Sequence, residues 1–193
     1  GTRARYLDAP VPIPSRTGDE VAATMRDFMA AVPWATAARA WNLLSTHDTA
    51  RIRTIAGPER HAVGAALLYT YPGTPFVFAG DEGGLEGTNG EHARVPMPWS
   101  AIDGGGPGWD HAMHARYREL GRLRRDRCAL RHGGLRWALA TDDALLYLRE
   151  CPHERVAVLL AREAIGPRAV GLGPGVRELE PLLGDADWRF SHG

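Results

Sequence analysis

Apolar and polar positions along the first half of the chain alternate between helical and strand-like patterns. Residues 17–20 (Thr-Gly-Asp-Glu) have the signature of a helix capping box, and apolar side chains recur at helical spacing until Pro33. Residues 41–45 and 76–79 read as short apolar runs, the pattern of buried parallel strands. A helix that begins near Pro58 separates them. This order predicts a βαβ crossover with parallel strands.

The pattern changes twice after residue 80. Residues 80–108 form a long loop rich in glycine and proline, a length typical of functional loops. Asp110 is placed to cap a third helix, with an apolar stripe that includes Met113, Tyr117 and Leu120. Short strand-like runs at 135–139, 144–149, 155–161 and 176–179 then predict a small antiparallel sheet. We place a domain boundary near Gly133.

Composition excludes several classes of function. The chain has 23 basic residues, all arginine, and 23 acidic ones, so its zero net charge argues against bulk attraction to nucleic acid or to an anionic membrane. No apolar run is long enough to span a bilayer. The arginine-rich run at 116–127 lacks interleaved aromatic residues apart from one on the buried stripe, which favours a solvated helix face over a nucleic-acid site.

The remaining metal and redox candidates are weak. His111 and His114 share a helical face without a third ligand, so we predict no metal site there. Cys128 and Cys151 have neither metal spacing nor the count of a disulfide framework, which favours free thiols in a reducing compartment. We therefore expect a cytoplasmic location, although a chain that begins with Gly1 leaves a leader peptide open.

Each of the two predicted parallel strands is followed by polar side chains. His47 and Asp48 follow the first, with Arg51 three residues later, and Asp81 and Glu82 follow the second. In barrels of alternating strands and helices, substrates are handled at the carboxyl ends of the strands. His47 and Asp48 could therefore bind a sugar, ligate a metal or act in acid–base catalysis. Two structural explanations stay open at this point. Asp48 could cap a helix, and Asp81 and Glu82 could form an ion pair with a nearby arginine.

Three segments resemble sequence motifs of one enzyme family. Residues 43–51 (Leu-Leu-Ser-Thr-His-Asp-Thr-Ala-Arg) resemble the fourth motif of the alpha-amylase family, family 13 of the glycoside hydrolases. Within it they resemble the neopullulanase, cyclomaltodextrinase and maltodextrin glucosidase branch. The resemblance continues through residues 71–87 and 93–99, the latter being Ala-Arg-Val-Pro-Met-Pro-Trp. The motifs occur in the family's order, which makes the match specific over residues 17–99 and looser over residues 117–160.

The resemblance implies an α/β fold in two parts. Residues 1–133 would be the C-terminal portion of a (β/α)8 TIM barrel, with its seventh and eighth strands at 41–45 and 76–79. Residues 134–193 would be a small antiparallel β-sandwich domain, shorter than usual for the family. The family's nucleophile and acid motifs follow the fourth and fifth strands, and this chain has no Gly-x-Arg-x-Asp stretch. We therefore expect a C-terminal fragment that is inactive by itself.

The resemblance also assigns roles to individual residues. Asp48 would stabilise the transition state of a retaining glycosidase that acts on α-glucan oligosaccharides, with His47 beside it. Arg94 would help to hold the substrate. Many relatives pair that arginine with an aspartate four residues earlier, where this chain has Gly90, so Glu91 becomes the candidate acidic partner.

Arg51, Asp81 and Glu82 would support the site structurally. No cofactor or metal ligand is expected in this chain, because the family's calcium ligands would lie upstream; calcium and oligomeric state in a complete protein stay open. Two alternatives remain: a transglycosylase or isomerase of the same family, or a family member without its nucleophile that serves as a binding or scaffold subunit. The joint presence of His47, Asp48 and Arg51 favours an enzyme.

Overall fold

The structure is a computed structural model that describes residues 5–6, 9–10, 12–184 and 186–189. Parts of the predicted N-terminal loop and the last residues of the predicted second domain lie outside these ranges. The helices are α1 (Gly18–Ala31), α2 (Trp34–Ala37), α3 (Ile52–Thr70), α4 (Gly90–Ala93), α5 (Trp99–Gly104), α6 (His111–Asp126) and α7 (Cys128–His132). The strands are β1 (Arg5–Tyr6), β2 (Ala9–Pro10), β3 (Trp41–Leu43), β4 (Thr74–Phe76), β5 (Gly134–Ala140), β6 (Ala144–Cys151) and β7 (Glu154–Ala161).

Helix α1 begins with the predicted capping box. The Thr17 hydroxyl accepts the N–H of Glu20 at 3.2 Å, and the Glu20 carboxylate accepts the N–H of Thr17 at 2.9 Å. The helix ends at Ala31, just before Pro33, as the sequence indicates. Its apolar stripe is only partly buried, because Phe28 keeps 56% of its surface exposed.

Strands β3 and β4 pair in parallel, which confirms the predicted βαβ crossover. The prediction that both strands are buried is wrong, since Trp41, Leu43 and Phe76 are exposed, and Trp41 and Phe76 stack at 5.5 Å. Within the described ranges each strand pairs only with the other, and the exposed side chains of Trp41, Leu43 and Phe76 leave part of the pair open to solvent. Strand β4 also begins two residues and ends three residues earlier than predicted, before the polar segment begins.

Helix α3 connects these strands and contains a kink. Gly57 has a left-handed φ of 78°, so a short segment from Ile52 meets a longer one that begins at Pro58. Pro58 is therefore the first residue of the longer segment, the position that the sequence predicts for it. The predicted loop at 80–108 contains the short helices α4 and α5 and a 3₁₀ turn, Asp81–Gly83.

Strands β5, β6 and β7 form an antiparallel sheet, as predicted, and β6 lies in its centre. The fourth predicted strand, 176–179, is wrong: residues 162–184 contain no helix or strand. The first six residues of β6 are buried, and the sheet packs against α1, α3 and α7 through a common core that includes Ala22, Leu130 and Tyr147. No helix within the described ranges combines the length and apolar character that crossing a membrane requires.

The prediction of two free thiols is wrong. Cys128, at the start of α7, and Cys151, at the end of β6, form a disulfide, with Cα atoms 6.4 Å apart. Helix α7 packs against β6 and brings together two residues that are 23 positions apart in sequence. Spacing alone does not reveal that packing. The Glu154 carboxylate lies close to both sulfurs, but it accepts the N–H of Ala129 at 2.8 Å.

Candidate functional site

His47, Asp48 and Arg94 form one cluster just beyond the carboxyl end of β3. Arg94 Nη2 lies 3.2 Å from Asp48 Oδ1, and His47 Nε2 lies 3.2 Å from Asp48 Oδ2. Arg94 Nε also donates to the backbone oxygen of His47 at 3.1 Å. The Asp48 side chain is 70% exposed. Both of its oxygens are thus contacted from within the protein while the carboxylate stays open to solvent.

A tight turn positions Asp48 in this cluster. The Thr46 N–H donates to Thr49 Oγ1 at 2.9 Å, and the Asp48 N–H donates to Thr46 Oγ1 at 3.2 Å. The first amide of α3 is satisfied by Ser45, whose buried hydroxyl accepts the Ile52 N–H at 2.8 Å. Asp48 therefore does not cap α3, and the structural alternative for this residue is wrong.

Helix α4 carries Arg94 at its carboxyl end and packs directly against the turn. A Cβ atom at Gly90 would lie 2.7 Å from the backbone oxygen of His47 and 3.0 Å from the Cα of Asp48. A side chain at this position would separate the helix from the cluster. Glycine at position 90, which is also where this chain departs from the family pattern, thus permits the close approach.

Arg51 forms a buried polar junction behind the cluster. Its Nη1 lies 2.9 Å from Asp81 Oδ1, and both side chains are almost fully buried. The guanidinium also donates to the backbone oxygens of Ala79, at 2.9 Å, and Ala93, at 2.8 Å and 3.1 Å. One arginine therefore joins the segment after β4 to α4 and to the start of α3, which fits the supporting role expected of Arg51 and Asp81.

Burial dominates the electrostatics of this junction. Desolvation raises the pKa of the Asp81 carboxyl above its ordinary value, while hydrogen bonds from Ser45 and Arg51 and the charge of Arg51 oppose that rise. Arg51 also lies over the Phe78 ring, with its Cζ 4.2 Å from the ring centre. If the buried Arg51 guanidinium lost its carboxylate partner, its charge would be left uncompensated and the fold would be destabilised.

The two other predicted residues lie apart from the cluster. The Glu82 carboxylate accepts the N–H of Gly80 at 2.8 Å and so stabilises the turn after β4. Glu91 is exposed in the first turn of α4. Among the described residues, no hydrogen bond or ion pair joins its carboxylate to Arg94 or Asp48. Substrate binding by Glu91 stays a prediction.

A second polar group, partly buried, lies between α3 and α6, and the sequence did not indicate its pairing. Arg53 pairs with Asp110 at 2.9 Å, and His61 Nε2 forms a hydrogen bond of 2.9 Å with the Tyr117 hydroxyl. Burial, helped by the charge of Arg53, lowers the pKa of His61 from 6.5 to about 4. Asp110 also accepts the Met113 N–H at 2.9 Å, which confirms the predicted cap.

Comparisons with known proteins agree on one family. No family model matches the chain. A cyclomaltodextrinase from Bacillus sp is 33% identical over 130 residues, which is 65% of this chain and 22% of that protein. Neopullulanase 2 from Thermoactinomyces vulgaris is 35% identical over 124 residues, or 62% of this chain and 20% of that protein. The chain thus spans about a fifth of the length of the curated relatives it matches.

A solved structure shows that the likeness extends to the fold. The cyclic α-maltosyl-(1→6)-maltose hydrolase from Arthrobacter globiformis, in complex with maltose, superposes with a TM-score of 0.67 at 31% identity. The match covers 76% of this chain and 32% of that protein. These findings confirm the motif-based assignment, and they place the chain in the alpha-amylase family, among relatives of the cyclomaltodextrinase and neopullulanase kind.

Proposed function

We propose that this chain carries part of the active site of a retaining glycosidase that cleaves α-glucosidic bonds in maltooligosaccharides or related α-glucans. The main support is the position of Asp48, an exposed carboxylate just beyond the carboxyl end of a parallel strand, held at both oxygens by His47 and Arg94. Asp48 does not cap α3, because the first amide of that helix bonds to Ser45, so its carboxylate is available to a ligand.

The arrangement suits a carboxylate that binds hydroxyl groups of the sugar under attack. His47 and Arg94 hold the Asp48 carboxylate in one orientation, so little reorganisation is needed when substrate arrives. As the sugar ring flattens towards an oxocarbenium ion, hydrogen bonds from its hydroxyls to Asp48 strengthen. An interaction that is stronger in the transition state than in the ground state raises the rate of the chemical step.

The finer architecture is part of the same proposal. Strands β3 and β4 would be adjacent strands of a (β/α)8 barrel, and β5–β7 would belong to a β-sandwich domain that begins after Gly133. The parallel pairing across α3 and the antiparallel order of the later sheet support this division. In such a barrel the exposed Trp41 and Phe76 would face the interior.

The relatives support the choice of substrate class. One is named a cyclomaltodextrinase, and the Arthrobacter hydrolase was solved with maltose. For this chain we accordingly propose α-linked glucose oligomers. Hydrolysis and transfer to a second sugar would both use Asp48 in the same way, and they differ in whether water or a sugar hydroxyl accepts the glycosyl group.

Asp48→Asn tests the proposal in the protein that carries this chain. We expect kcat on maltooligosaccharides to fall by about 10²–10³-fold, because several kcal/mol of transition-state hydrogen bonding is lost. Asp103→Asn, which changes an exposed carboxylate in α5, is the matched control and should leave kcat unchanged. Near-normal turnover in Asp48→Asn would remove Asp48 from catalysis, whereas absence of turnover in the parent protein would favour the scaffold alternative. Product analysis by chromatography would separate hydrolysis from transfer.

The 193-residue chain alone should release no sugar, because it contains Asp48 but no Gly-x-Arg-x-Asp nucleophile motif. The measurement is reducing-sugar release from maltoheptaose, compared with buffer. Release above buffer that disappears in Asp48→Asn would show that the chain holds a complete set of catalytic groups.

A further inference from the structure

Three side chains of metal-ligating type meet where helix α7 packs against the hairpin of β6 and β7. The Cys128 and Cys151 sulfurs and a carboxylate oxygen of Glu154 all lie within 4.8 Å of one another, and the three residues are partly exposed. None of them belongs to the candidate active-site cluster. The two cysteines are 23 positions apart, so no short spacing motif in the sequence indicates this group.

The group connects the two parts of the fold. Cys128 begins α7, the last helix before the sheet, whereas Cys151 and Glu154 pair with each other at the turn between β6 and β7. In the oxidised protein a disulfide makes this connection. A dithiol reductant breaks that bond, because it transfers two electrons and two protons to the sulfurs and becomes a disulfide itself. In a reducing compartment, two thiols therefore take the place of the disulfide.

Other contacts keep these thiols together after reduction. The side chains of Ala129 and Leu130, both in α7, are fully buried in the core. The Ala129 N–H donates to Glu154 Oε1 at 2.8 Å. At the end of α7, Arg149 donates to the backbone oxygen of Gly133 at 2.9 Å. Helix α7 is thus held against the hairpin independently of the disulfide.

The ligand atoms suit a zinc ion. Thiolates and carboxylates are regular zinc ligands, at about 2.3 Å from sulfur and 2.0–2.2 Å from oxygen, which places neighbouring ligands of a tetrahedral ion roughly 3.5–3.8 Å apart. Ligand atoms that already lie within 4.8 Å of one another reach this arrangement through small side-chain movements. The hydrogen bond from Ala129 fixes the Glu154 carboxylate, as outer hydrogen bonds do for carboxylates that bind metals.

The charges of the site also fit a divalent cation. Two thiolates and the Glu154 carboxylate are negative, and Arg127, whose Nη1 lies 3.6 Å from Glu154 Oε2, supplies one positive charge. A divalent ion brings the local sum to zero. Each thiol releases its proton when the ion binds, so binding should strengthen as the pH rises.

We propose that the reduced thiolates of Cys128 and Cys151 bind one zinc ion together with Glu154, with water as the fourth ligand. The ion then replaces the disulfide as the connection between α7 and the hairpin. When the two thiolates pass two electrons to a disulfide oxidant, the S–S bond forms again and the ion is released. Metal and disulfide are therefore alternative states of the same residues.

Anaerobic titration of the reduced protein with Co²⁺ and then Zn²⁺ tests this proposal, after the reductant has been removed. Co²⁺ should produce the near-ultraviolet absorption of thiolate-to-cobalt charge transfer, and Zn²⁺ should abolish it by displacing the cobalt. The oxidised protein should show no such absorption. Cys151→Ser should lose most of it, because one of the two thiolates is gone.

Glu154→Gln tests the carboxylate ligand, since glutamine can still accept the Ala129 N–H but carries no charge. We expect it to weaken Co²⁺ binding at least about tenfold. Glu59→Gln, which changes an exposed carboxylate of α3, is the matched control and should bind Co²⁺ as the parent does.

Three results would overturn the proposal: no charge-transfer absorption from the reduced protein, equal absorption from the oxidised protein, or unchanged affinity in Glu154→Gln. Circular dichroism of the reduced parent and of each variant monitors the fold. Loss of the folded spectrum on reduction would also overturn the proposal, because the thiols would then not be held together without the disulfide.

Discussion

Two arginine–aspartate pairs lie next to each other in this protein and differ chiefly in burial. Arg51 and Asp81 meet at 2.9 Å with only 2% and 3% of their side chains exposed, whereas Arg94 and Asp48 meet at 3.2 Å with 52% and 70% exposed. The buried arginine also satisfies backbone oxygens of two other segments. The same chemical pair therefore stabilises the fold in one place and leaves a carboxylate available to ligand in the other.

The energetic consequences of the two pairs should differ accordingly. An exposed ion pair contributes about 0–1 kcal/mol to stability. Loss of one partner from a buried pair costs about 3–5 kcal/mol, because the other charge is left without compensation in a low-dielectric environment.

Asp81→Ala should lower the free energy of unfolding by about 3–5 kcal/mol, since it leaves the Arg51 guanidinium buried and unpaired. Asp48→Ala, the matched exposed change, should lower it by less than about 1 kcal/mol. Urea unfolding followed by circular dichroism measures both. Equal losses in the two variants would contradict the contrast between the pairs.

Stability should also depend on pH through the buried histidine. His61 has a folded-state pKa of about 4 against 6.5 for the unfolded chain, so the unfolded state takes up a proton first as the pH falls. Its contribution is fully present above pH 6.5 and is lost towards pH 4, by up to about 3 kcal/mol.

Unfolding curves recorded between pH 7 and pH 4 measure this loss. His61→Gln should flatten the dependence, whereas His132→Gln, an exposed change, should retain it. An unchanged slope in His61→Gln would assign the acid sensitivity to other groups.

Gly90→Ala should separate α4 from the Asp48 turn. The added Cβ would lie 2.7 Å from a backbone oxygen that cannot easily move, so we expect a loss of about 1–3 kcal/mol, typical of overpacking. Gly104→Ala is the control, because nothing lies within 4 Å of its Cβ position. Thermal unfolding compares the two variants, and equal melting temperatures would show that the contact at Gly90 is loose.

Arg94→Gln should have the smallest effect on stability. We expect a loss below about 1 kcal/mol that shrinks further at high salt, because the Arg94–Asp48 pair is exposed and screened. The difference in Tm between this variant and its parent, at 50 mM and 500 mM NaCl, is the measurement. A large loss that salt does not reduce would make Arg94 part of the buried framework.

Local features of the fold were readable from sequence. The Thr17–Glu20 capping box and the Asp110 cap depend on residues within three positions of each other, so the local sequence pattern is enough to predict them. The parallel pairing of β3 and β4 also follows from the order of elements. The predicted strand at 176–179 shows the limit of that approach, because a short apolar run without a pairing partner stays irregular.

Parts of the candidate site were readable as well. Motif resemblance singled out His47, Asp48 and Arg94, and the structure brings all three together. The sequence did not indicate that a Cβ at Gly90 would collide with the Asp48 turn. It also did not indicate the disulfide between Cys128 and Cys151. Both depend on distances between segments that are far apart in the chain.

The order of residues in the chain sets the available chemistry: the succession of strands and helices, the caps, and the acidic and basic side chains after each parallel strand. Which of these groups are buried depends on how the segments pack in three dimensions. Arg51 lies three residues after Asp48, yet one is enclosed and the other faces solvent. Burial depends on how distant segments pack, and burial decides whether a charge supports the fold or remains accessible to a substrate.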